Sequence, residues 1–165
     1  MQAFDGQIPE IFVQPGESHL VEEPTVLRTV LGSCVGVAFW IPRQNIGALC
    51  HPMLPQLPVK SRMPHPHHEH KERYVDFAIR DLARRLDSYG VARSKIHVKL
   101  FGGADVLLVS DDRVRPTVGQ LNCQMAVEVL EEQGFNVTAS SLGGTHGVNI
   151  FFHTGTGEVL LRRLS

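Results

Sequence analysis

Two segments of the chain carry apolar residues at intervals of three and four, a spacing that predicts amphipathic α-helices. The first is predicted over residues 72–89 and the second from 118 to 133, and each is followed directly by a glycine that favours helix termination. The predicted apolar faces comprise Val75, Ile79, Leu82 and Leu86 in the first helix, and Val118, Leu121, Met125 and Val129 in the second.

Most other apolar segments are short, rich in β-branched or aromatic residues, and bounded by turn formers, which predicts strands. These strands are predicted over residues 10–14, 26–31, 95–101, 136–141, 148–153 and 158–164, with a hairpin around residues 42–45. The order of strands, helix, strand, helix and strands predicts an α+β fold, a β-sandwich or mostly antiparallel sheet flanked by two helices. We expect one domain over residues 1–165, interrupted by a loop rich in histidine and proline at about residues 55–71.

The predicted hairpin brings together two residues with candidate chemistry, Cys34 and His51. If Trp40 pairs with Asn45, Cys34 lies directly opposite His51. If Ile41 pairs with Ile46, Cys34 lies diagonally from it, and in both registers the two side chains share a face.

A thiol beside an imidazole is the arrangement used for attack on carbonyl carbon, because a neighbouring imidazolium can lower the thiol pKa. Gly32 leaves room for a substrate carbonyl, and Ser33 with the Cys34 backbone N–H is a candidate oxyanion donor. The alternative is that Cys34 is a small buried apolar residue. Cys50 and Cys123 are interpreted as packing residues.

Composition excludes several classes of protein. Hydrophobic residues make up 42% of the 165 residues and charged residues 20%, which is typical of a globular domain. The chain has 16 basic and 17 acidic side chains without a basic stripe, so nucleic acid is not an expected partner. No segment predicts a signal peptide or membrane insertion, and three cysteines fit a reducing compartment, so a cytoplasmic location is expected.

The stretch from His65 to His70 is unusually rich in histidine, which raises the alternative of a zinc protein. Such a site would use Cys34, Cys50, His51 and this cluster. Cys50 and His51 are adjacent in a strand and therefore point to opposite faces, which disfavours a shared metal. We expect a solvated insertion, no metal site and no cofactor.

The chain resembles the CheD family of chemoreceptor glutamine deamidases nearly from end to end. No single motif is specific, but their order and spacing together are. The motifs are Pro15-Gly16-Glu17, Thr29 to Val35, His51 to Pro55, Arg73 to Asp76, Lys99 to Ala104, Gly119 with Asn122, Leu142 to Gly147, and Thr156 to Val159.

This resemblance implies a β-sandwich flanked by helices and a Cys-His-Thr triad, with Cys34 as nucleophile, His51 as base and then acid, and Thr29 orienting the imidazole. Thr25 or a backbone carbonyl is the alternative third member. The implied substrates are glutamines of methyl-accepting chemotaxis receptors, with receptor methyl esters as a further substrate and a CheC-like phosphatase as a further partner. The expected free state is a monomer. The alternative function is a non-enzymatic module that binds a receptor or such a phosphatase.

Overall fold

The computed structural model describes residues 6–58, 70–106 and 115–165, and these contain nine β-strands, two α-helices and two short 3₁₀ turns. The strands are β1 (Glu10–Phe12), β2 (Ser18–Val21), β3 (Val26–Leu31), β4 (Val35–Ile41), β5 (Ile46–Cys50), β6 (His97–Gly102), β7 (Asn136–Leu142), β8 (Val148–His153) and β9 (Val159–Arg163). The helices are α1 (Val75–Asp87) and α2 (Val118–Glu132), and the 3₁₀ turns are Lys71–Arg73 and Arg93–Lys95.

The strands form two sheets. The first has the order β1-β3-β8-β9 and the second the order β2-β5-β4-β6-β7. Among the described residues, five of the seven strand pairings are antiparallel, and the parallel ones are β1 with β3 and β6 with β7. The predicted α+β class with a mostly antiparallel sheet system is confirmed.

Strand alternation divides the interior into two apolar clusters, because successive side chains point to opposite faces of a sheet. Val35, Val37 and Phe39 of β4 face the two helices, in the cluster that also holds Ile79 and Leu82 of α1. Ala38 of β4 faces the first sheet instead, where it joins buried residues of β3 and β8. The molecule therefore has three layers, with the second sheet in the middle.

Strand β2 was not predicted. It is a strand of four half-buried residues that pairs with β5 in antiparallel register. Its sequence, Ser18-His19-Leu20-Val21, is too short and too polar at its start to show alternation. Its pairing with a fully buried neighbour, rather than its own pattern, makes it a strand.

The buried face of helix α2 agrees with the predicted one in its C-terminal half, where Val129 is buried and Met125 packs against the core, but differs in its N-terminal half. Val118 and Leu121 are exposed, whereas Gly119, Asn122 and Ala126 are buried. The reason is close packing, because an added Cβ at Gly119 would approach the carbonyl oxygen of Gly103 to 2.6 Å. The helix thus lies directly on the loop that follows β6, with its small and polar residues inward.

Candidate active site

Cys34 lies in the short turn between β3 and β4 and is half-buried. It packs against the cluster between the two sheets, on the same side of β4 as Ala38. His51 directly follows β5 and is almost completely buried. Because His51 lies two residues after Leu49, its side chain points to the same side of the sheet as that of Leu49, which belongs to that cluster. Both side chains therefore belong to the side of the middle sheet that faces the first sheet, as the sequence predicts.

The hairpin adopts the second of the two predicted registers, with Ile41 paired to Ile46. The ladder continues beyond the strands, since the Val35 amide donates to the carbonyl of Pro52 at 3.3 Å. In this register Cys34 lies opposite Met53 and diagonally from His51. Diagonal neighbours lie about 7–8 Å apart by their Cα atoms, which long side chains can still bridge.

The backbone of His51 is held on both sides by the turn after β1. Its amide donates to the carbonyl of Glu17 at 2.9 Å, and its own carbonyl accepts from the amide of Gly16 at 2.7 Å. These two hydrogen bonds extend the pairing of β2 with β5 past the end of the strand. The turn at Pro15 and Gly16 therefore fixes the position of the His51 backbone, from which the imidazole side chain extends.

Thr29 points from β3 into the same interior and is fully buried. Its Oγ1 lies 2.6 Å from Nδ1 of His51 and 2.7 Å from the carbonyl oxygen of Val13. A carbonyl can only accept, so the single hydroxyl proton of Thr29 goes to Val13. His51 must then donate from Nδ1 to Thr29, which leaves Nε2 with a lone pair and able to accept a proton.

Thr25, the alternative third member, is engaged elsewhere. Its hydroxyl donates to the carbonyl of Glu23 at 2.9 Å, and its amide donates to Oγ1 of Thr154 at 2.9 Å. The other alternative, a backbone carbonyl, is present as Val13, which accepts from the hydroxyl of Thr29 and also favours a protonated His51 imidazole. The structure thus brings Thr29 and His51 together and keeps Thr25 apart from them.

Both candidate reactive groups are neutral at neutral pH. Burial lowers the pKa of the His51 imidazole to about 4, and the backbone carbonyl of Val13 opposes this effect only in part. Burial also raises the pKa of the Cys34 thiol, against a smaller opposite effect of its own backbone amide. This direction is opposite to the one that an adjacent imidazolium would produce. A thiolate at Cys34 would therefore require transfer of the thiol proton to a base.

The turn that carries Cys34 is bonded to the loop after β6 through its carbonyl groups. Gly32 accepts from the amide of Ala104 at 2.9 Å, and Cys34 accepts from the amide of Gly103 at 2.8 Å. Gly102 has φ of 98°, and an added Cβ there would overlap the carbonyl oxygen of Cys34. A glycine is required at this position because no side chain fits between the two loops.

Ser33, proposed from sequence as an oxyanion donor with the Cys34 amide, has an exposed side chain. Its carbonyl oxygen accepts from Nδ2 of Asn122 at 2.9 Å, and the same amide group donates to the carbonyl of Met53 at 3.0 Å. In the sequence, Asn122 belongs to one of the motifs that carry the family resemblance, and the pattern predicts no role for it. The sequence signal that could have pointed to Asn122 is that a polar residue lies among the small residues of α2.

The two other cysteines take the expected packing positions. Cys50 is fully buried on the face toward the helices, and burial raises the pKa of its thiol to about 12. Cys123 is half-buried on α2, and its sulfur lies 3.9 Å from the carbonyl oxygens of Gly102 and Gly103. Cys50 and His51 point to opposite sides of the middle sheet, as the argument against shared metal binding requires.

Most of the histidine-rich stretch lies outside the described residues, which include only His70 from it. Within the described ranges, no group of three or more histidine, cysteine, aspartate or glutamate side chains is placed to hold a metal ion. Neither α-helix described by the structure is long and apolar enough to cross a membrane.

The fold and this arrangement define an α+β sandwich in which a half-buried cysteine lies near a buried threonine–histidine pair. Residues 53–163 match the model of the CheD family, described as CheD chemotactic sensory transduction. The chain is 39% identical over 165 residues to the probable chemoreceptor glutamine deamidase CheD 2 of Geobacter sulfurreducens, covering all of this chain and 96% of that protein.

Two further relatives carry the name probable chemoreceptor glutamine deamidase CheD. The protein of Maridesulfovibrio salexigens is 35% identical over 161 residues, with 95% of this chain and 93% of the relative covered. That of Pseudomonas fluorescens is 36% identical over 155 residues, with 93% and 84% covered. The chain belongs to the CheD family, which confirms the resemblance found in the sequence. The family model begins after His51, whereas the match to the Geobacter relative also spans the candidate site.

Proposed function

We propose that this protein is a chemoreceptor glutamine deamidase, in which Cys34 is the nucleophile, His51 the general base and acid, and Thr29 the group that orients the imidazole. The observation that carries the assignment of the site is the chain of hydrogen bonds from His51 through Thr29 to Val13. This chain favours the imidazole tautomer whose Nε2 accepts a proton, the form that a general base needs. Membership of the CheD family supports the choice of substrate.

In the first half of the reaction, the Cys34 sulfur attacks the side-chain carboxamide carbon of a receptor glutamine while the thiol proton moves to Nε2 of His51. The carbonyl electrons move onto oxygen, and we assign the backbone N–H of Cys34 as the donor to that oxyanion, with Ser33 and Gly32 next to it in the chain. The C–N bond then breaks, Nε2 returns its proton to nitrogen, and ammonia leaves a thioester on Cys34.

In the second half, water attacks the thioester carbon and gives a proton to Nε2 of His51. The C–S bond breaks, the thiolate of Cys34 takes the proton back from Nε2, and the receptor side chain leaves as a carboxylic acid that loses its remaining proton to solvent and becomes a glutamate. Each half needs a neutral imidazole at its start, and the lowered pKa of His51 supplies that form at neutral pH. The thiol and imidazole both end in their starting states.

The experiment is mass spectrometry of the cytoplasmic helical fragment of a receptor after incubation with the wild-type protein, Cys34→Ala or Cys123→Ala. Cys123→Ala is the matched control because its thiol is also half-buried but packs on α2. We expect amide-to-acid changes at defined glutamines with wild type and Cys123→Ala, and none with Cys34→Ala. His51→Ala should lower the rate by roughly 10⁴-fold or more.

Binding of the receptor fragment without conversion of any glutamine by the wild-type protein would favour the non-enzymatic module instead. Two finer proposals rest on family membership, namely hydrolysis of receptor methyl esters through the same thioester and binding of a CheC-like phosphatase. A third, a monomeric free state, is the default expectation for a single domain. Release of methanol tests ester hydrolysis, and co-elution with the phosphatase tests that interaction. The molecular mass in solution tests the monomeric state.

A further inference from the structure

Asn122 connects the two loops that flank the candidate site. Its side chain is fully buried, and its two Nδ2 protons go to the carbonyl oxygens of Ser33 at 2.9 Å and Met53 at 3.0 Å. Ser33 directly precedes Cys34, and Met53 lies two residues after His51. One side chain of α2 therefore holds both the loop of the nucleophile and the segment that follows the base.

The orientation of this amide group is determined by its neighbours, because two carbonyl oxygens can be satisfied only by the NH₂ end. Its Oδ1 is buried and has no hydrogen-bond partner among the described residues. A buried acceptor without a partner is unfavourable for folding. Asn122 therefore leaves one buried acceptor unpaired, and what its amide group contributes is the pair of hydrogen bonds to the two loop carbonyls.

The bond to Ser33 also fixes a direction at Cys34. The carbonyl of Ser33 and the amide of Cys34 belong to one trans peptide unit, in which C=O and N–H point in opposite directions. By holding the carbonyl, Asn122 directs the Cys34 N–H away from α2. That N–H is the candidate oxyanion donor of the proposed reaction.

The second bond keeps the two loops in register. The Val35 amide donates to Pro52, next to the Met53 carbonyl that Asn122 holds. The backbone bond at 3.3 Å and the two bonds of Asn122 thus join the same pair of segments from neighbouring positions. Sliding of one segment against the other would break all three.

We infer that Asn122 is a positioning residue, which aligns the Cys34 loop with the His51 segment and aims the Cys34 N–H at the developing oxyanion. This role rests on the proposed function for its effect on rate, whereas the alignment of the loops is independent of the reaction. Asn122 acts through the backbone of its neighbours, because its two hydrogen bonds go to the backbone carbonyls of Ser33 and Met53.

The test is the variant Asn122→Leu, which keeps the approximate shape of the side chain and removes both donors. The matched control is Val129→Ala, which weakens packing at another buried position of α2. Steady-state deamidation of the receptor fragment should show kcat lowered about 10²-fold in Asn122→Leu, comparable to loss of an oxyanion donor. KM should stay within about twofold, and kcat of the control should be close to wild type.

Amide hydrogen exchange supplies a measurement that does not need turnover. Asn122→Leu should exchange faster than Val129→Ala at residues 33–35 and 52–54, with equal protection in β8, which lies in the other sheet. Equal kcat and equal local exchange in the two variants would overturn the inference. If the wild-type protein converts no glutamine, the proposed function fails, and the exchange experiment alone decides whether Asn122 aligns the loops.

Discussion

The hydrogen bond between Thr29 and His51 joins the two sheets of the sandwich, because Thr29 lies on β3 of the first sheet and His51 follows β5 of the second. Replacing Thr29 with valine keeps the shape of the side chain and removes the hydroxyl. General base catalysis is worth about 10²–10⁴-fold, and a base without its orienting partner should lose part of this, on the order of 10- to 100-fold in kcat. Deamidation of a receptor fragment measures it.

Thr29→Ser is the control for this prediction, since it retains the hydroxyl that links Nδ1 to the carbonyl of Val13. The serine variant should recover most of the activity that valine loses. Equal activity of Thr29→Val and wild type would remove Thr29 from the mechanism and would leave the Val13 carbonyl as the group that acts on the imidazole.

The pH dependence of kcat/KM should reflect the buried imidazole. Its pKa is lowered from the ordinary 6.5 to about 4, and the base must be neutral in the free protein. Activity should therefore be constant from neutral pH down to about pH 5 and then fall as His51 becomes protonated. An acid limb centred near pH 6.5 would show that the imidazole is well solvated when the reaction starts.

The same lowered pKa predicts how stability changes with pH. The unfolded chain binds a proton at His51 below about pH 6.5, while the folded protein binds it only near pH 4, so the free energy of unfolding falls as pH decreases between these values. The expected loss is about 3 kcal/mol across this window. Urea unfolding at several pH values measures it.

His51→Gln should remove this part of the pH dependence, because it has no titrating group to bury. The matched control is His146→Gln, at an exposed histidine in the loop before β8, which should keep the wild-type slope. An unchanged slope in His51→Gln would assign the acid sensitivity to other groups.

Gly102 offers a test of how closely the two loops approach. Gly102→Ala places a methyl group against the carbonyl of Cys34, whereas Gly90→Ala has a similar positive φ of 70° and nothing within 4 Å of the added atom. Both variants should lose about 1–2 kcal/mol through the backbone conformation. Only Gly102→Ala should lose more than this and also slow alkylation of Cys34 or deamidation. Equal losses would mean that the loops can separate without cost.

The alternation of side chains along the strands predicted which residues of the site share a face of the sheet. The positions of Cys34 and His51 on one face follow from the hairpin in either of the two registers predicted, whereas a one-residue slip would place them on opposite faces; the structure has the register that pairs Ile41 with Ile46. The class of fold follows similarly from the order of helical and strand periods. The role of Thr29 came from resemblance to the family, because nothing in its strand pattern links it to a residue on another sheet.

The features that sequence missed all depend on contacts between distant segments. Strand β2 exists because it pairs with β5, and the parallel pairing of β1 with β3 depends on a chain that crosses to the other sheet in between. The buried face of α2 is set by the backbone of the loop beneath it, so Asn122 points inward where apolar periodicity placed Leu121. The spacing of hydrophobic residues along a helix cannot predict that the helix packs against backbone carbonyl groups.

The hydrogen bond from Asn122 to Ser33 spans 89 positions of the chain. During synthesis, Thr29, Cys34 and His51 leave the ribosome well before α2 exists, so the loop around the thiol gains the support of Asn122 only after that helix has been added. We therefore expect a growing chain to hold this loop less firmly than the folded protein does.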